Sequence, residues 1–181
     1  MTIYRQQDND LSQSDNVEAS PPPRSKVYFN SGVFETPWHK HEQHQLIYAQ
    51  SGVIHIQTEL KQFLLPAHHG LWIPAGIGHR LHSSTTTLKV WSMYFEPETS
   101  DPRDLAGIRV FPMPPLAHEM MMFSHRWLGE SGTNALKESY FQTIRLLVFD
   151  WCKASLYLEL PLPKDPLITC LLYTSPSPRD S

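Results

Sequence analysis

The chain has 181 residues, enough for one domain with a sizeable core and too few for two. Fifteen Lys plus Arg against eighteen Asp plus Glu leave a formal charge of −3, and no basic half or stripe runs along the chain, which argues against a nucleic-acid surface on these residues. Two Cys, Cys152 and Cys170, cannot build the disulfide framework of a small secreted protein. With no apolar run long enough to span a bilayer and no signal-peptide pattern at Met1–Arg24, a soluble cytoplasmic chain without a membrane partner is expected.

Residues 1–25 are rich in Gln, Asp, Ser and Asn and end near Pro21-Pro22-Pro23, a composition that predicts a disordered leader. Residues 26–96 then change to short apolar or alternating runs broken by Gly, Pro and polar turns, the pattern of an all-β sandwich or barrel. Gln45–Gln50 and Val53–Thr58, joined by Ser51-Gly52, predict a hairpin, because Gly supplies a positive φ at little steric cost. Further strands are expected at Phe63–Leu65, Leu71–Ile73, Arg80–Ser83 and Leu88–Phe95. Residues 97–159 switch to a helical period. Leu116, Met120, Phe123 and Trp127 predict a helix over about 115–129, and Tyr140, Ile144, Leu147 and Trp151 another over about 135–158, with Thr133 or Asn134 as its cap. That second stripe must bury itself against the sheet or against a partner's copy, as a homodimer face. The fold class is therefore mainly β with C-terminal helices. Residues 160–181 read as a Pro-rich linker and a tail resembling translated adapter sequence, so a truncated gene product is expected.

Ten His is high for this length, and four positions stand out by spacing. His39 and His41 are two apart, so from a strand both imidazoles leave one face, close enough to share an ion. Gln45 falls on the same parity or across a tight turn. His79 ends Pro74-Ala75-Gly76-Ile77-Gly78-His79, where Pro and Gly shape a turn that can carry it back to the pair. Three imidazoles and an amide oxygen can hold one divalent transition-metal ion with open positions. The plainer alternative is a polar pocket whose histidines bond one another and a ligand without metal. Because all four donors are neutral, a bound ion would keep its charge and favour an anionic effector such as a carboxylate.

In order, Gly32, His39-Lys40-His41, Gln45, Gly52, Gly70 and Pro74-Ala75-Gly76-Ile77-Gly78-His79 resemble the two motifs of the cupin superfamily, small double-stranded β-helix barrels of jelly-roll type. The chain departs from that pattern in carrying Gln45 where the usual ligand is Glu, and in a shorter gap from Gly70 to Pro74. More narrowly, His39-x-His41 with Gln45–Ala49 and Gly52, Leu71–Gly76, His79 and Met93-Tyr94-Phe95 resembles the N-terminal sensing domain of AraC-type transcription regulators, over about residues 26–167. The resemblance implies a cupin barrel, two helices, and the Leu-Pro-Leu-Pro-x-Asp-Pro linker seen at Leu160–Pro166. It also implies a small-molecule effector in the barrel, a homodimer, and DNA contact only through helix-turn-helix units beyond the linker, which are missing here.

The expected effector contacts are His39, His41, Gln45 and His79, joined by Trp38 beside the His pair and by the rings of Tyr48 and Trp72, which otherwise are simply core. No catalytic residue is assigned. The competing class is a stand-alone metal cupin enzyme, a dioxygenase or isomerase, against which stand the missing carboxylate ligand and the lack of an acid or base beside the site. His44, expected to point away from the pocket, and His55, His68, His69, His118 and His125 are given no role.

Overall fold

The computed structural model describes residues 25–130, 132, 134–155 and 159–161. The leader at 1–24, the linker and tail from 162, the last expected turn of the second helix at 156–158, and Thr133 lie outside the described residues.

Strands β1 (Ser25–Ser31), β2 (Phe34–Glu35), β3 (His44–Ser51), β4 (Val53–Thr58), β5 (Lys61–Pro66), β6 (His69–Ile73), β7 (His79–Ser83), β8 (Lys89–Phe95), β9 (Arg109–Pro112) and β10 (Glu159–Pro161) form two five-stranded antiparallel sheets. One runs β1-β8-β3-β6-β9, the other β10-β5-β4-β7-β2. Helices α1 (Pro115–Phe123) and α2 (Ala135–Trp151) follow. Ile47, Ala49, Leu71, Ile73, Val90 and Val110 of the first sheet meet Ile54, Ile56, Phe63, Leu65 and Leu81 of the second in one core. On the other side of the first sheet, Leu46, Tyr48, Trp72, Trp91, Met93 and Phe95 pack on Met121, Trp127, Phe141, Ile144 and Val148. The first sheet is thus covered on both faces, which is why Leu46–Ala49 is one apolar run rather than an alternation. Strand β4 keeps one face toward solvent and alternates.

The expected hairpin at Ser51-Gly52 is a corner between sheets: β3 pairs with β6 and β8, whereas β4 pairs with β5 and β7. The local signal was correct in its dihedral, since Gly52 has φ +79°, and wrong in its pairing. A Cβ at Gly52 would sit 2.9 Å from Leu88 Cα. Gly52→Ala is therefore expected to lower stability by about 2–4 kcal/mol, from the left-handed backbone and the backbone clash together. An unchanged urea midpoint would show the corner to be more pliant than this.

Two strands lie outside the expected barrel limits. β9 comes from the stretch expected to be helical and pairs with β6, while β10 comes from the expected linker and pairs with β5. The helices begin where expected and end earlier: α1 passes into a 3-10 turn at Ser124–Trp127, and α2 into another at Cys152–Ala154. Asn134 caps α2, its side chain accepting from the Lys137 N–H at 2.9 Å. The buried faces differ from those expected. α1 turns Ala117 and Met121 inward and leaves Leu116 and Phe123 exposed, and α2 buries Phe141, Ile144, Arg145 and Val148. No helix among the described residues is long and apolar enough to cross a membrane.

Candidate functional site

His79 opens β7 fully buried, paired across the ladder with Thr58 of β4. Its backbone makes a two-way bridge with His39, N–H to carbonyl at 3.0 and 2.9 Å. The His41 carbonyl accepts from Gly76 N–H at 2.8 Å, which ties the His39–His41 stretch to the Pro74–Gly78 turn. Gly76 has φ +79°, so this turn uses the glycine for its dihedral. Gln45, on β3, is buried and shares its face with Ile47. The structure therefore brings His39, His41, His79 and Gln45 together at one end of the barrel. Ring centroids lie 4.4 Å apart for His39–His79, 5.3 Å for His41–His79 and 6.0 Å for His39–His41. One nitrogen from each ring falls within 4.8 Å of the others.

The hydrogen bonds assign the tautomers. Each Nδ1 faces a backbone carbonyl two residues away: His39 to Pro37 at 2.9 Å, His41 to Gln43 at 2.5 Å and His79 to Ile77 at 2.8 Å. Nδ1–H must donate in all three, leaving the Nε2 lone pairs as acceptors. Gln45 Oε1 lies 3.1 Å from His41 Nε2 and 3.2 Å from His79 Nε2, and the Gln45 amide donates to Tyr94 OH at 3.0 Å and Ser92 Oγ at 3.3 Å. Lone pairs thus face one another with no proton between them, an arrangement that a divalent cation resolves. Turned over, the amide would donate to both imidazoles and need no cation, so its orientation distinguishes the two states. The donor chemistry fits a transition-metal ion held by three imidazoles and an amide oxygen.

Burial, then the neighbouring His39 and His41, bring His79 down to about 4 despite the Ile77 carbonyl, and burial holds His41 below its usual value. Burial likewise raises Tyr94, which stays a neutral phenol. Between pH 6.5 and about 4 the unfolded chain binds a proton at His79 that the folded chain refuses. Stability is then complete above pH 6.5 and falls as the pH drops toward 4, by about 3 kcal/mol from this group. Urea midpoints measured along that range check this, and a flat profile would contradict it.

Three expected contacts stand elsewhere. Tyr48 and Trp72 project from the opposite face of β3 and β6, into the cluster shared with the helices, where Tyr48 OH bonds His118 Nδ1 at 2.6 Å. Their parity is opposite to that of Gln45 and Ile73, and burial on both faces hid it. Trp38 is half exposed under the guanidinium of Arg80, which extends from the solvent side of β7 to Gln57 and Glu35. His44 lies on the helix side, stacked on Trp72. Tyr94, Ser92 and Thr58 are the site residues that sequence reasoning missed. Tyr94 stands directly across from Gln45 on β8, a register invisible without the pairing.

An open cavity of about 520 Å³ is lined by chain neighbours of the imidazoles, Lys40, Ile77 and Gly78, together with Thr58, Lys61, Phe63, Ile108 and Arg109, and not by the imidazoles themselves. Thr58 pairs with His79, and Ile77 and Gly78 precede it in the chain, so cavity and imidazoles share one end of the barrel. Its volume falls in the usual range for small-molecule pockets.

Fold and site together define a small β-barrel ligand-binding domain with a helical hairpin against one face. The family described as the AraC-like ligand binding domain matches residues 30–141, more than half of the chain, and the chain belongs to that family. Among solved structures, apo ToxT from Vibrio cholerae is similar at 11% identity over 82% of this chain and 63% of that one, with a TM-score of 0.48. A cupin superfamily protein from Desulfitobacterium hafniense shares 12% identity over 43% of this chain and 72% of its own (TM-score 0.38). A conserved protein of unknown function from Streptococcus pyogenes shares 19% over 41% and 65% (TM-score 0.36). This chain thus spans less than two thirds of the ToxT and Streptococcus chains. No curated protein sequence matches it.

Proposed function

We propose that these residues form the effector-binding and dimerisation module of a cytoplasmic AraC-type transcription regulator, with the effector held in the barrel end by His39, His41, Gln45 and His79. The observation that carries this is the convergence of three imidazole nitrogens and the Gln45 amide at one end of the barrel, in a chain of the AraC-like ligand-binding family. A divalent ion bound there would supply a Lewis-acidic centre that attracts anions, undiminished in charge by its neutral donors. The chain's own residues do the rest: carbonyls hold the rings in one tautomer, Tyr94 and Ser92 orient the amide, and Phe63, Ile77 and Ile108 offer apolar walls to an effector's body. DNA contact in the intact regulator would fall to helix-turn-helix units following the linker. The dimer face would be built from the two helices, where Leu116, Phe123, Leu136 and Leu146 are exposed and Leu147 is half-buried, with Tyr140 and Trp151, which also pack on the core, at its inner edge.

The test is calorimetry of the nickel-loaded protein against a panel of small carboxylates. Binding that is present in the natural chain and lost in His41→Ala is expected. Equal binding by both would remove the imidazole site, and consumption of the carboxylate would favour the cupin enzyme instead.

A further inference from the structure

We propose that the solvent face of the second sheet carries a metal site separate from the barrel end, in which His55, His82 and Glu35 bind one divalent transition-metal ion such as zinc. The pairing of the strands sets these residues in a single row. His82 of β7 stands directly across from His55 of β4 on one side and from Glu35 of β2 on the other. Residues opposite one another on antiparallel strands project from the same face, with Cβ atoms roughly 5 Å apart. All three are exposed, whereas the residues flanking the two histidines, Ile54, Ile56, Leu81 and Ser83, are buried.

The centres of the two imidazole rings lie 5.9 Å apart. An ion about 2 Å from one nitrogen of each ring fits between them after a small side-chain rotation, which exposed rings on a strand are free to make. Neither ring has a hydrogen-bond or ion-pair partner among the described residues, so no bond must break before a metal is bound. Partial desolvation, and then the neighbouring His82, hold His55 below its usual value, which leaves it a lone pair at neutral pH. Two imidazoles set this close repel one another when both carry protons. An ion shared by both replaces that repulsion with two bonds.

Glu35 supplies the anionic donor that the barrel end lacks. Its carboxylate lies 3.7 Å from Arg80 Nη1, an exposed pair that holds it only weakly. Arg80, two residues before His82 on the same face, is the cation that opposes a bound ion. Its guanidinium is drawn into the next row of the sheet, where it donates to Gln57 Oε1 at 2.9 and 2.6 Å and lies 5.8 Å from the centre of the Trp38 ring. On the far side of His55 stands Leu64 of β5, which brings no charge. Two imidazoles and a carboxylate are ligands that zinc takes, and exposure leaves its remaining positions to water. His79 lies three residues before His82 and is buried on the opposite face, so the two centres share no ligand and this one does not depend on the role of the barrel end.

Titration of the full chain with zinc at neutral pH, followed by the imidazole Cε1–H resonances, tests the site. The His55 and His82 signals are assigned by their loss in His55→Ala and His82→Ala, surface changes that leave the core intact. Both signals are expected to move together with one half-saturation concentration, below about a millimolar zinc. His82→Ala should raise the concentration needed at His55 by at least about tenfold, and Glu35→Gln by about threefold or more. The rings of His39, His41 and His79 give their own signals in the same spectra, so the two centres are read independently. Separate midpoints for His55 and His82, a His55 response untouched by His82→Ala or by Glu35→Gln, or no response up to about a millimolar zinc would each overturn the proposal.

Discussion

His79→Ala is expected to weaken binding of zinc or nickel by at least about a hundredfold, and Gln45→Glu to tighten it by about tenfold or more. The alanine leaves two imidazoles and an amide, and removes the fully buried ring, which lies nearest to His39 and 3.2 Å from the Gln45 oxygen. The glutamate is isosteric and puts a negative charge into a set whose four members are all neutral. Its carboxylate would rest about 3 Å from two Nε2 atoms. Without a metal, that carboxylate should favour a proton on one of those rings, raising the depressed pKa of the imidazole pair and flattening the loss of stability below pH 6.5. Competition against a chelator of known affinity measures both variants. If His79→Ala binds zinc as the natural chain does, the ion is held elsewhere and the lone-pair convergence is not its site.

Ile144→Ala is expected to cost about 2–5 kcal/mol, whereas Leu147→Asp should leave the unfolding midpoint nearly unchanged and turn a dimer into a monomer. Ile144 is 1% exposed and belongs to the cluster that joins α2 to Leu46, Trp72 and Phe95, so its truncation leaves a cavity in the monomer's own core. Leu147, one turn along and only half buried, belongs to the face that a second copy would cover. Urea unfolding reads the first effect and sedimentation the second. A Leu147→Asp chain of unaltered mass in sedimentation would remove the hairpin from the dimer interface.

The barrel and its two helices were legible because β4 alternates and α2 carries a helical period, and both signals come from one face meeting solvent. Where that condition fails, legibility fails with it. Buried on both sides, β3, β6 and β8 show no parity, so Tyr48 and Trp72 could be assigned to the wrong chamber although their strands were in the right place. β9 offers only Val110 and Phe111 between Arg109 and Pro112, too short for any period to declare itself. The imidazole cluster was legible for a different reason: His39, His41 and His79 are rare residue types set by turn-forming Pro and Gly, and a side chain's chemistry survives ignorance of its register. Tyr94 and Ser92 carry no such mark, and only the pairing of β3 with β8 sets them against Gln45.

Because the central sheet is a shared wall, adjacent residues of β3 look into different rooms: the Gln45 amide into the imidazole end, the His44 ring onto the Trp72 side. The Pro74–Gly78 turn is gripped from both, since Gly76 N–H is held by the His41 carbonyl and Ala75 N–H by the His44 ring. A pleated strand cannot slide or roll for one neighbour alone. Moving this turn on one side of the sheet therefore strains a hydrogen bond held on the other.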